Sequence, residues 1–390
     1  MNVDELIEIT SLGETSTVQF KEMFSNSESI SREITAMSNS IGGTIFFGIE
    51  DKTNRIIGLL PEQIEFTDKK VSECADNIKP PVFVTTEVIK FVSENIPKYV
   101  LAVMVKEGVN KPYKTAKGEI YVKQGANKRL LTDNAEILRL FQQSSNLQAD
   151  EMEVFDTTIN DADERLFSAY FKKEFGQTYQ EKGLSYKEAL IAKKVLRNDR
   201  LTLAGLLFFG HEPQTIKPAF TIKTVSYVGN DIGGNNYINK PEDLKGSIPE
   251  IFKQSMNYLK SSLMHLQKGR DFNTIGILEV SEIALVEILQ NALIHRDYFK
   301  NSPVRLLIFD NRIEIISPGK LPNSLTVEEI KYGNPVIRNN QIALFSTHTL
   351  PYSGLGSGLR RAFENQPDIE LINDVAGEQF IARIPRPVKP

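Results

Sequence analysis

The sequence predicts an α+β fold in which an N-terminal mixed α/β domain is followed by a helix-rich segment and then by paired strands. Residues 29–40 carry apolar side chains at helical spacing, and residues 44–49 follow as an apolar strand. In the C-terminal part, a helical pattern over 277–295 leads into two strands joined at 310–311, a short junction typical of a hairpin. Both parts of the chain therefore combine helices with strands.

Length and composition restrict the class of protein. A chain of 390 residues exceeds the size of a single hydrophobic core, so two or three domains are expected. Its 41% hydrophobic and 25% charged residues are typical of a soluble globular protein. No apolar run approaches the roughly 18 residues of a membrane span, and the acidic N-terminus does not resemble a signal peptide. We therefore expect a cytoplasmic protein with no membrane partner.

Cysteine, histidine and charge exclude other classes. The single cysteine, Cys74, excludes an internal disulfide, and four histidines offer no zinc constellation. The net charge of −4 argues against nucleic-acid binding over the whole surface but allows a local basic patch.

The elements of the N-terminal domain follow in order. The helix over 29–40 stops at Gly42 and Gly43, where glycine favours a helix end. Further strands are predicted at 82–88, 99–105 and 119–123, and a capped helix starts at Thr132. A polar segment without periodicity comes next, so the predicted boundaries are a domain at 1–142, a linker at 143–160 and a second domain at 161–390.

The second domain begins with helices. Leu166, Tyr170 and Phe171 share one face of the first helix, and residues 186–196 predict a second helix. The apolar stretch 201–210 is too short to span a membrane and is predicted to be core. The remaining elements are helices near 251–266 and 277–295, strands at 304–309 and 312–316, a helix from Leu359 and a strand at 378–384.

Three polar residues on the 277–295 helix indicate a functional site. Glu287, Asn291 and His295 recur at i, i+4 and i+8 and therefore project from one helix face. A carboxylate can take a proton from water, and a neighbouring amide oxygen can ligate Mg²⁺. An ordinary solvated helix face is the alternative, and it is disfavoured because two further motifs follow in order.

The last motif in the sequence is a glycine-rich loop. Glycine occupies every second position at Gly354, Gly356 and Gly358, directly before the predicted helix. This arrangement suits phosphate binding, because backbone N–H groups and the helix dipole both favour anions. A flexible loop that caps the helix is the alternative. A Walker loop is absent from the sequence, which excludes the usual helicase motor.

The order and spacing of these motifs resemble the ATP-binding fold shared by gyrase, Hsp90, histidine kinases and MutL, the GHKL class. The similarity is to the divergent form found in RecG-related transcriptional regulators of bacteria. The resemblance implies an α/β sandwich with ATP and Mg²⁺ as cofactors. It implies that Glu287 is the catalytic base, that Asn291 holds the metal, and that the other nucleotide-binding residues are His295, Ser317, Gly319, Gly354, Gly356 and Gly358.

One motif departs from that family. The ATPases carry an Asp-x-Gly-x-Gly motif whose aspartate accepts a hydrogen bond from the adenine amino group. Here the end of the strand reads Ser317-Pro318-Gly319. Ser317 or a backbone carbonyl would have to accept instead, and a hydroxyl specifies adenine less strongly than a carboxylate does.

The N-terminal domain has a resemblance of its own. The segments 14–22, 36–51 and 121–127 resemble the AlbA-type domain of Schlafen-like proteins, and the similarity covers most of residues 10–141. This implies nucleic-acid binding. Vertebrate Schlafens cleave RNA with three carboxylates, two of them in a Glu-x-x-x-x-Glu pattern. This chain has Glu14 followed by Gln19, so Glu14, Glu22 and Asp51 are expected to be the remnant of a nuclease site, weakened by the loss of one anionic ligand.

A local basic stretch supports nucleic-acid binding. Residues 106–129 contain seven basic residues against Glu107 and Glu119. Tyr113 and Tyr121 lie between them and are predicted to stack on bases. A solvated surface is the alternative. The predicted nucleic-acid contacts are Lys111, Lys114, Lys117, Lys123, Lys128 and Arg129.

Taken together, these features predict a DNA-binding regulator whose state responds to ATP or a related nucleotide. Its expected partners are DNA or RNA, a nucleotide, and a second copy of the chain. Many relatives carry a winged helix after the ATPase-like domain; this chain does not, so the N-terminal domain is expected to bind the nucleic acid. Two alternatives remain open: a metal-dependent RNase or ATPase acting in RNA processing or defence, and an inactive interaction scaffold.

Overall fold

The computed structural model describes residues 1–93, 96–144, 147–232, 237–267, 276–322, 325–333 and 336–387. The chain divides into two compact units, Met1–Leu147 and Gln148–Pro390. Each unit combines helices with a mixed sheet, which confirms the predicted α+β class. None of the helices in the described ranges has the length and apolar character needed to cross a bilayer.

The first unit is built on a four-stranded sheet. Its strand order is β1-β2-β4-β3, with β1 and β2 parallel and the other pairs antiparallel, and β5 and β6 form a separate hairpin. The elements are α1 (Val3–Leu12), β1 (Val18–Lys21), α2 (Ser27–Asn39), β2 (Gly43–Phe47), α3 (Pro61–Asp76), β3 (Val84–Ser93), β4 (Ile96–Val105), β5 (Tyr121–Gln124), β6 (Asn127–Leu130) and α4 (Asn134–Gln142).

The connection from α2 to β2 explains the paired glycines. Gly42 has φ +79°, and a Cβ there would lie 2.7 Å from the carbonyl oxygen of Val105. A Cβ on Gly43 would lie 2.6 Å from the carbonyl oxygen of Thr17. Any side chain would therefore push β2 away from its neighbours. The predicted helix and strand on either side of this turn are confirmed, with small shifts of their ends.

The second unit has a six-stranded sheet with the order β10-β9-β13-β14-β16-β15. Helices cover one face of this sheet, and a smaller apolar cluster lies on the other. The helices are α5 (Glu164–Phe175), α6 (Tyr186–Ala192), α7 (Leu203–Phe209), α8 (Pro213–Ile216), α9 (Ile248–Ser262), α10 (Glu282–Ile294), α11 (Val327–Lys331), α12 (Asn340–Thr349) and α13 (Gly358–Asn365). The strands are β7 (Leu196–Arg197), β8 (Arg200–Leu201), β9 (Ile222–Tyr227), β10 (Tyr237–Asn239), β11 (His265–Leu266), β12 (Ile277–Leu278), β13 (Val304–Ile308), β14 (Arg312–Pro318), β15 (Glu370–Asp374) and β16 (Gln379–Pro385).

Three helix predictions need correction. The helix predicted near 251–266 ends at Ser262, because residues 265–266 form β11 and pair with β12. The helix predicted over 186–196 ends at Ala192, because the chain turns into the short β7–β8 pair with positive φ at Asn198 and Asp199. The helix predicted from residue 277 begins at Glu282, because residues 277–278 pair with β11 and the side chain of Ser281 caps the helix. The predicted hairpin of β13 and β14 is confirmed.

Part of the predicted linker packs in the second unit. Ala149, Asp150 and Val154 are buried there. The carboxylate of Asp150 accepts hydrogen bonds from the backbone N–H groups of Gln341 at 2.7 Å and Ile342 at 3.0 Å, at the start of α12. A carboxylate in that place satisfies helix-end donors that would otherwise be buried without partners.

Candidate functional sites

A pocket in the second unit lies between α10, the end of β14 and the glycine loop before α13. It brings together seven of the eight residues predicted to bind nucleotide: Glu287, Asn291, His295, Ser317, Gly319, Gly356 and Gly358. The eighth, Gly354, is not among the lining residues and lies near the side chain of Thr347. Residues distant in sequence thus meet at one cavity.

The glycine loop approaches α10 very closely. A Cβ on Gly358 would collide with Oε2 of Glu287 and would lie 3.9 Å from Nδ2 of Asn291. Gly356 has φ +71°, in the left-handed region that favours glycine. We call this part of the pocket, formed by Glu287, Asn291, Gly356 and Gly358, the glycine end.

Glu287 is buried at the glycine end and both its carboxylate oxygens have partners. Oε1 lies 2.5 Å from Nη2 of Arg361, and Oε2 accepts a hydrogen bond of 2.5 Å from Nε2 of Gln290. With both oxygens occupied, the carboxylate offers no open position to an attacking water. The predicted role of Glu287 as a base therefore requires Arg361 to move first.

Asn291 and His295 face the pocket with unused hydrogen-bonding groups. Both side chains are half-buried, and neither has a hydrogen-bond partner within the described ranges. Burial, with a smaller contribution from the charge of Arg338, lowers the pKa of His295 to about 4. The imidazole is therefore neutral at pH 7, with one nitrogen able to donate and the other able to accept.

The donor set suits a weakly held Mg²⁺ ion. Across the described part of the chain, no group of three or more His, Cys, Asp or Glu side chains could form a metal cage. Asn291, by contrast, offers a free amide oxygen next to the glycine loop. Mg²⁺ is commonly bound through one or two protein oxygens together with substrate phosphates, so Asn291 fits a metal that arrives with a nucleotide.

The opposite part of the pocket, formed by His295, Ser317, Gly319 and Arg338, is called here the strand end. The hydroxyl of Ser317 is buried and donates a 2.9 Å hydrogen bond to the carbonyl oxygen of Ala292. The lone pairs of this hydroxyl can still accept a hydrogen bond, which is compatible with the prediction that Ser317 accepts one from the base of a nucleotide. His295 lies eight residues beyond Glu287, at the C-terminal cap of α10, so the two ends are about 12 Å apart.

Three cations at the pocket were not predicted from the sequence. Lys320, Arg338 and Arg361 line it, whereas Glu287 is the only acidic residue among its described lining residues. Arg361 follows the glycine loop by one turn of helix and could have been found from that position. Arg338 belongs to no motif, and only the fold brings it to the pocket.

In the first unit, Glu14 and Gln19 belong to a buried polar network. The side-chain amide of Gln19 donates to Glu14 and accepts from Nζ of Lys123 at 2.9 Å. Lys123 also pairs with Glu33 at 2.8 Å, and Lys128 pairs with the other oxygen of Glu33 at 2.9 Å. Burial alone would raise the pKa of Glu33, but the two ammonium groups outweigh it and lower that pKa.

The three carboxylates of the predicted nuclease remnant do not form a metal site within the described ranges. Glu14 also accepts a 2.8 Å hydrogen bond from the backbone N–H of Phe20. Asp51 pairs with Lys21 at 3.1 Å, and Glu22 is exposed. Two of the three carboxylates, Glu14 and Asp51, are therefore held by a glutamine and a lysine.

The predicted basic surface needs correction. The side chains of Lys111 and Lys123 are only 2% and 1% exposed and pair with Glu107 and Glu33. Lys117 pairs with Glu28, and Arg129 forms two hydrogen bonds with Glu136. Tyr113 and Tyr121 are buried, so they cannot stack on bases. Lys111, Lys123 and Lys128 thus pair with buried carboxylates, whereas Lys117 and Arg129 stay exposed in surface ion pairs.

Lys114 remains next to a lysine that the sequence did not indicate. The backbones of Lys114 and Lys79 exchange two hydrogen bonds of 2.8 Å, and both residues line a shallow depression. Lys79 is exposed, as is Lys106. Lys79 lies outside the basic stretch, and backbone pairing across the fold brings it to Lys114.

Comparisons with known families agree with this architecture. Residues 14–132 match the family described as "Schlafen, AlbA_2", and residues 301–374 match "Putative ATP-dependent DNA helicase recG C-terminal". Residues 138–222 match a domain of unknown function, DUF8451. The chain therefore combines a Schlafen AlbA_2 domain with a RecG C-terminal-like, ATPase-like domain, as the two resemblances predicted. The second match contains Ser317, Gly319 and the glycine loop but begins after α10.

Among solved structures, the chain is similar to the crystal structure of the DIP2311 protein from Corynebacterium diphtheriae. The two are 21% identical with a TM-score of 0.47, over 98% of this chain and 80% of that chain. No curated protein matches the sequence.

Proposed function

We propose that the second unit binds ATP or a related nucleotide together with Mg²⁺, and that the first unit binds nucleic acid, so that the chain acts as a nucleotide-responsive regulator. The observation that carries the first part is the meeting of Asn291, Gly356 and Gly358 at one pocket. The domain similarity to a RecG C-terminal region supports the same assignment.

The glycine end is suited to the phosphates. Gly358 opens α13, where unpaired backbone N–H groups and the helix dipole favour anions. Arg361, one turn into α13, adds positive charge at this end. Asn291 would hold Mg²⁺ through its amide oxygen, and the metal would neutralise charge on the phosphates when bound.

The middle of the pocket is suited to a flat ring. Apolar side chains from α10, the sheet and the loop after β14 form its walls, among them Ile288, Ile315, Leu321, Phe380 and Ala382. Binding sites for cofactors are typically apolar concavities with a few directed polar groups. A purine placed there would have its edge toward the strand end.

Nucleotide binding is tested by thermal melting with several millimolar Mg-ATP. A ligand at about one hundred times its dissociation constant stabilises the fold by about 2.7 kcal/mol, a clearly visible shift. Asn291→Ala should abolish the shift. Asn257→Ala, at an exposed position on α9, is the matched control and should keep it. A folded protein that shows no shift with any nucleotide would contradict the proposal and favour the scaffold alternative.

Nucleic-acid binding rests on the Schlafen AlbA_2 similarity together with three lysines that form no ion pair within the described residues: Lys79 and Lys106 are exposed, and Lys114 is half-buried. Such a surface would contact phosphates and select sequence weakly. An RNase is less well supported, because Glu14 is bound to Gln19 and Asp51 to Lys21. Metal-dependent RNA cleavage that disappears in Glu14→Ala would reverse this preference.

A further inference from the structure

Arg338 is a cation at the strand end whose hydrogen-bonding capacity is largely unused. Its Nη2 donates a 2.8 Å hydrogen bond to the carbonyl oxygen of Lys320. Within the described residues the guanidinium makes no ion pair and no further hydrogen bond. Several donors of a half-buried guanidinium are therefore available to a ligand.

The position of Arg338 depends on Gly319. Gly319 has φ +101°, and a Cβ there would lie 2.6 Å from Nη1 of Arg338 and 2.5 Å from Cβ of Asp297. Any side chain at 319 would displace the guanidinium. The glycine therefore makes room for a cation beside the strand end, which is where the related ATPases have a carboxylate that accepts from adenine.

The other groups at the strand end do not replace that carboxylate. Ser317 is a neutral acceptor, and His295 is neutral with one donor and one acceptor. The carboxylate of Asp297 accepts from the backbone N–H of Phe299 at 3.0 Å and is not among the pocket-lining residues. Asp297 interacts electrostatically with Arg338 from outside the pocket lining, so the charged group that faces the pocket here is a donor.

From this arrangement we infer that Arg338 makes the pocket select a 6-oxopurine nucleotide, such as a guanine nucleotide, over an adenine nucleotide. This rests on the proposed function, since it concerns the base of the same nucleotide. Guanine presents O6 and N7, two acceptors on one edge, which match the parallel N–H groups of arginine. Adenine presents N7 beside an amino donor, which would face the guanidinium without a partner.

The test measures the dissociation constants of Mg-GTP, Mg-ITP and Mg-ATP for the parent chain by calorimetry. GTP and ITP should both bind at least about tenfold more tightly than ATP, since a good bidentate contact discriminates to that degree. ITP lacks the 2-amino group of guanine, so equal preference for ITP and GTP assigns the selection to the 6-oxo edge.

Two variants connect the preference to Arg338. Arg338→Met should remove it while ATP binding persists, and Arg338→Lys should reduce it, because lysine keeps the charge but not the planar pair of donors. Arg360→Met is the matched control, since Arg360 is an exposed arginine that pairs with Glu364 outside the pocket. Melting curves establish whether each variant folds. If a variant does not fold, the preference of the parent chain for GTP and ITP over ATP decides the question.

The possible failures are distinguishable. ATP binding as tight as GTP binding, or a preference retained in folded Arg338→Met, would overturn this inference and leave the proposed function intact. Absence of binding by all three nucleotides would overturn both.

Discussion

Glu287 and Arg361 form an ion pair inside the pocket, with Oε1 of the carboxylate 2.5 Å from Nη2 of the guanidinium. The pair joins α10 to α13 directly below the glycine loop. Phosphate groups bound at that loop would compete for Arg361, because arginine binds phosphate oxygens well. Nucleotide binding would then release the Glu287 carboxylate, which any hydrolysis with Glu287 as base would need.

Arg361→Ala should lower the free energy of unfolding by about 1–3 kcal/mol, because Glu287 would remain buried without its cation. The double variant Glu287→Gln with Arg361→Ala should recover much of that loss, since no charge is left unpaired. Chemical denaturation of the four proteins of this cycle measures the coupling. Arg360→Ala, at an exposed pair one residue away, is the control and should change stability little. A double variant as unstable as the sum of the single variants would contradict the coupling.

Glu287→Gln should bind nucleotide at least as tightly as the parent, because the neutral side chain competes less with phosphate for Arg361. It should lose any hydrolysis, because an amide cannot take the proton from water. Phosphate release under single-turnover conditions, beside binding by calorimetry, separates the two effects. Asn291→Ala provides the complementary result, with loss of binding itself. Hydrolysis by Glu287→Gln at the parent's rate would remove Glu287 from the role of base.

Replacing Lys79, Lys106 and Lys114 with alanine should flatten the dependence of nucleic-acid affinity on salt. Each lost phosphate contact reduces the slope of log K against log salt by about 0.7–0.9. A triple alanine variant of Lys52, Lys69 and Lys90, which are also exposed in the first unit, is the control. If the control flattens the slope and the test variant does not, the binding surface lies elsewhere.

Lys123→Ala should act on stability and not on the salt slope. Its ammonium group is buried and pairs with Glu33, so its removal leaves part of a carboxylate unpaired inside the fold. A loss of about 2–4 kcal/mol in the free energy of unfolding is expected. An unchanged stability with a flatter salt slope would show instead that Lys123 contacts nucleic acid.

Gln19→Glu should destabilise the first unit at pH 7 by about 1–2 kcal/mol, because it places a second carboxylate against Glu14. The loss should shrink as the pH falls toward 5, where the two carboxylates can share a proton. Denaturation at both pH values measures it, with the exposed substitution Gln124→Glu as the control. Gln19→Glu should also bind nucleic acid less tightly in the absence of metal, since added negative charge repels phosphates. A cost that does not change with pH would contradict the like-charge explanation.

His295 should make the second unit lose stability as the pH falls. Its pKa is about 4 in the folded protein against an ordinary value of 6.5, so between these values the unfolded chain takes up a proton that the folded chain does not. The contribution is present above pH 6.5 and is lost progressively down to pH 4. Between pH 7 and pH 5 the free energy of unfolding of the parent should fall by up to about 2 kcal/mol more than that of His295→Gln. Parallel pH dependences of the two proteins would mean that His295 titrates normally when folded.

Local patterns in the sequence determined much of this protein. The spacing of Glu287, Asn291 and His295 and the alternating glycines are short-range features, so the sequence alone assigns them to a helix face and a loop. The helix α3 was missed because its buried face carries Thr67 and Cys74 beside Val71 and Ala75, which makes the apolar periodicity weak.

Only the tertiary structure decided which charges are available. Lys123 is separated from Glu33 by 90 residues, so the sequence showed a basic stretch where the fold contains a buried ion pair. Arg361 and Arg338 reach the pocket from segments beyond the predicted motif residues, and each changes the chemistry expected of Glu287 and of the strand end. The physical reason is one of range. Helical periodicity is determined by neighbours a few residues apart, whereas the pairing of two charges depends on a separation of a few ångströms that the complete fold brings about.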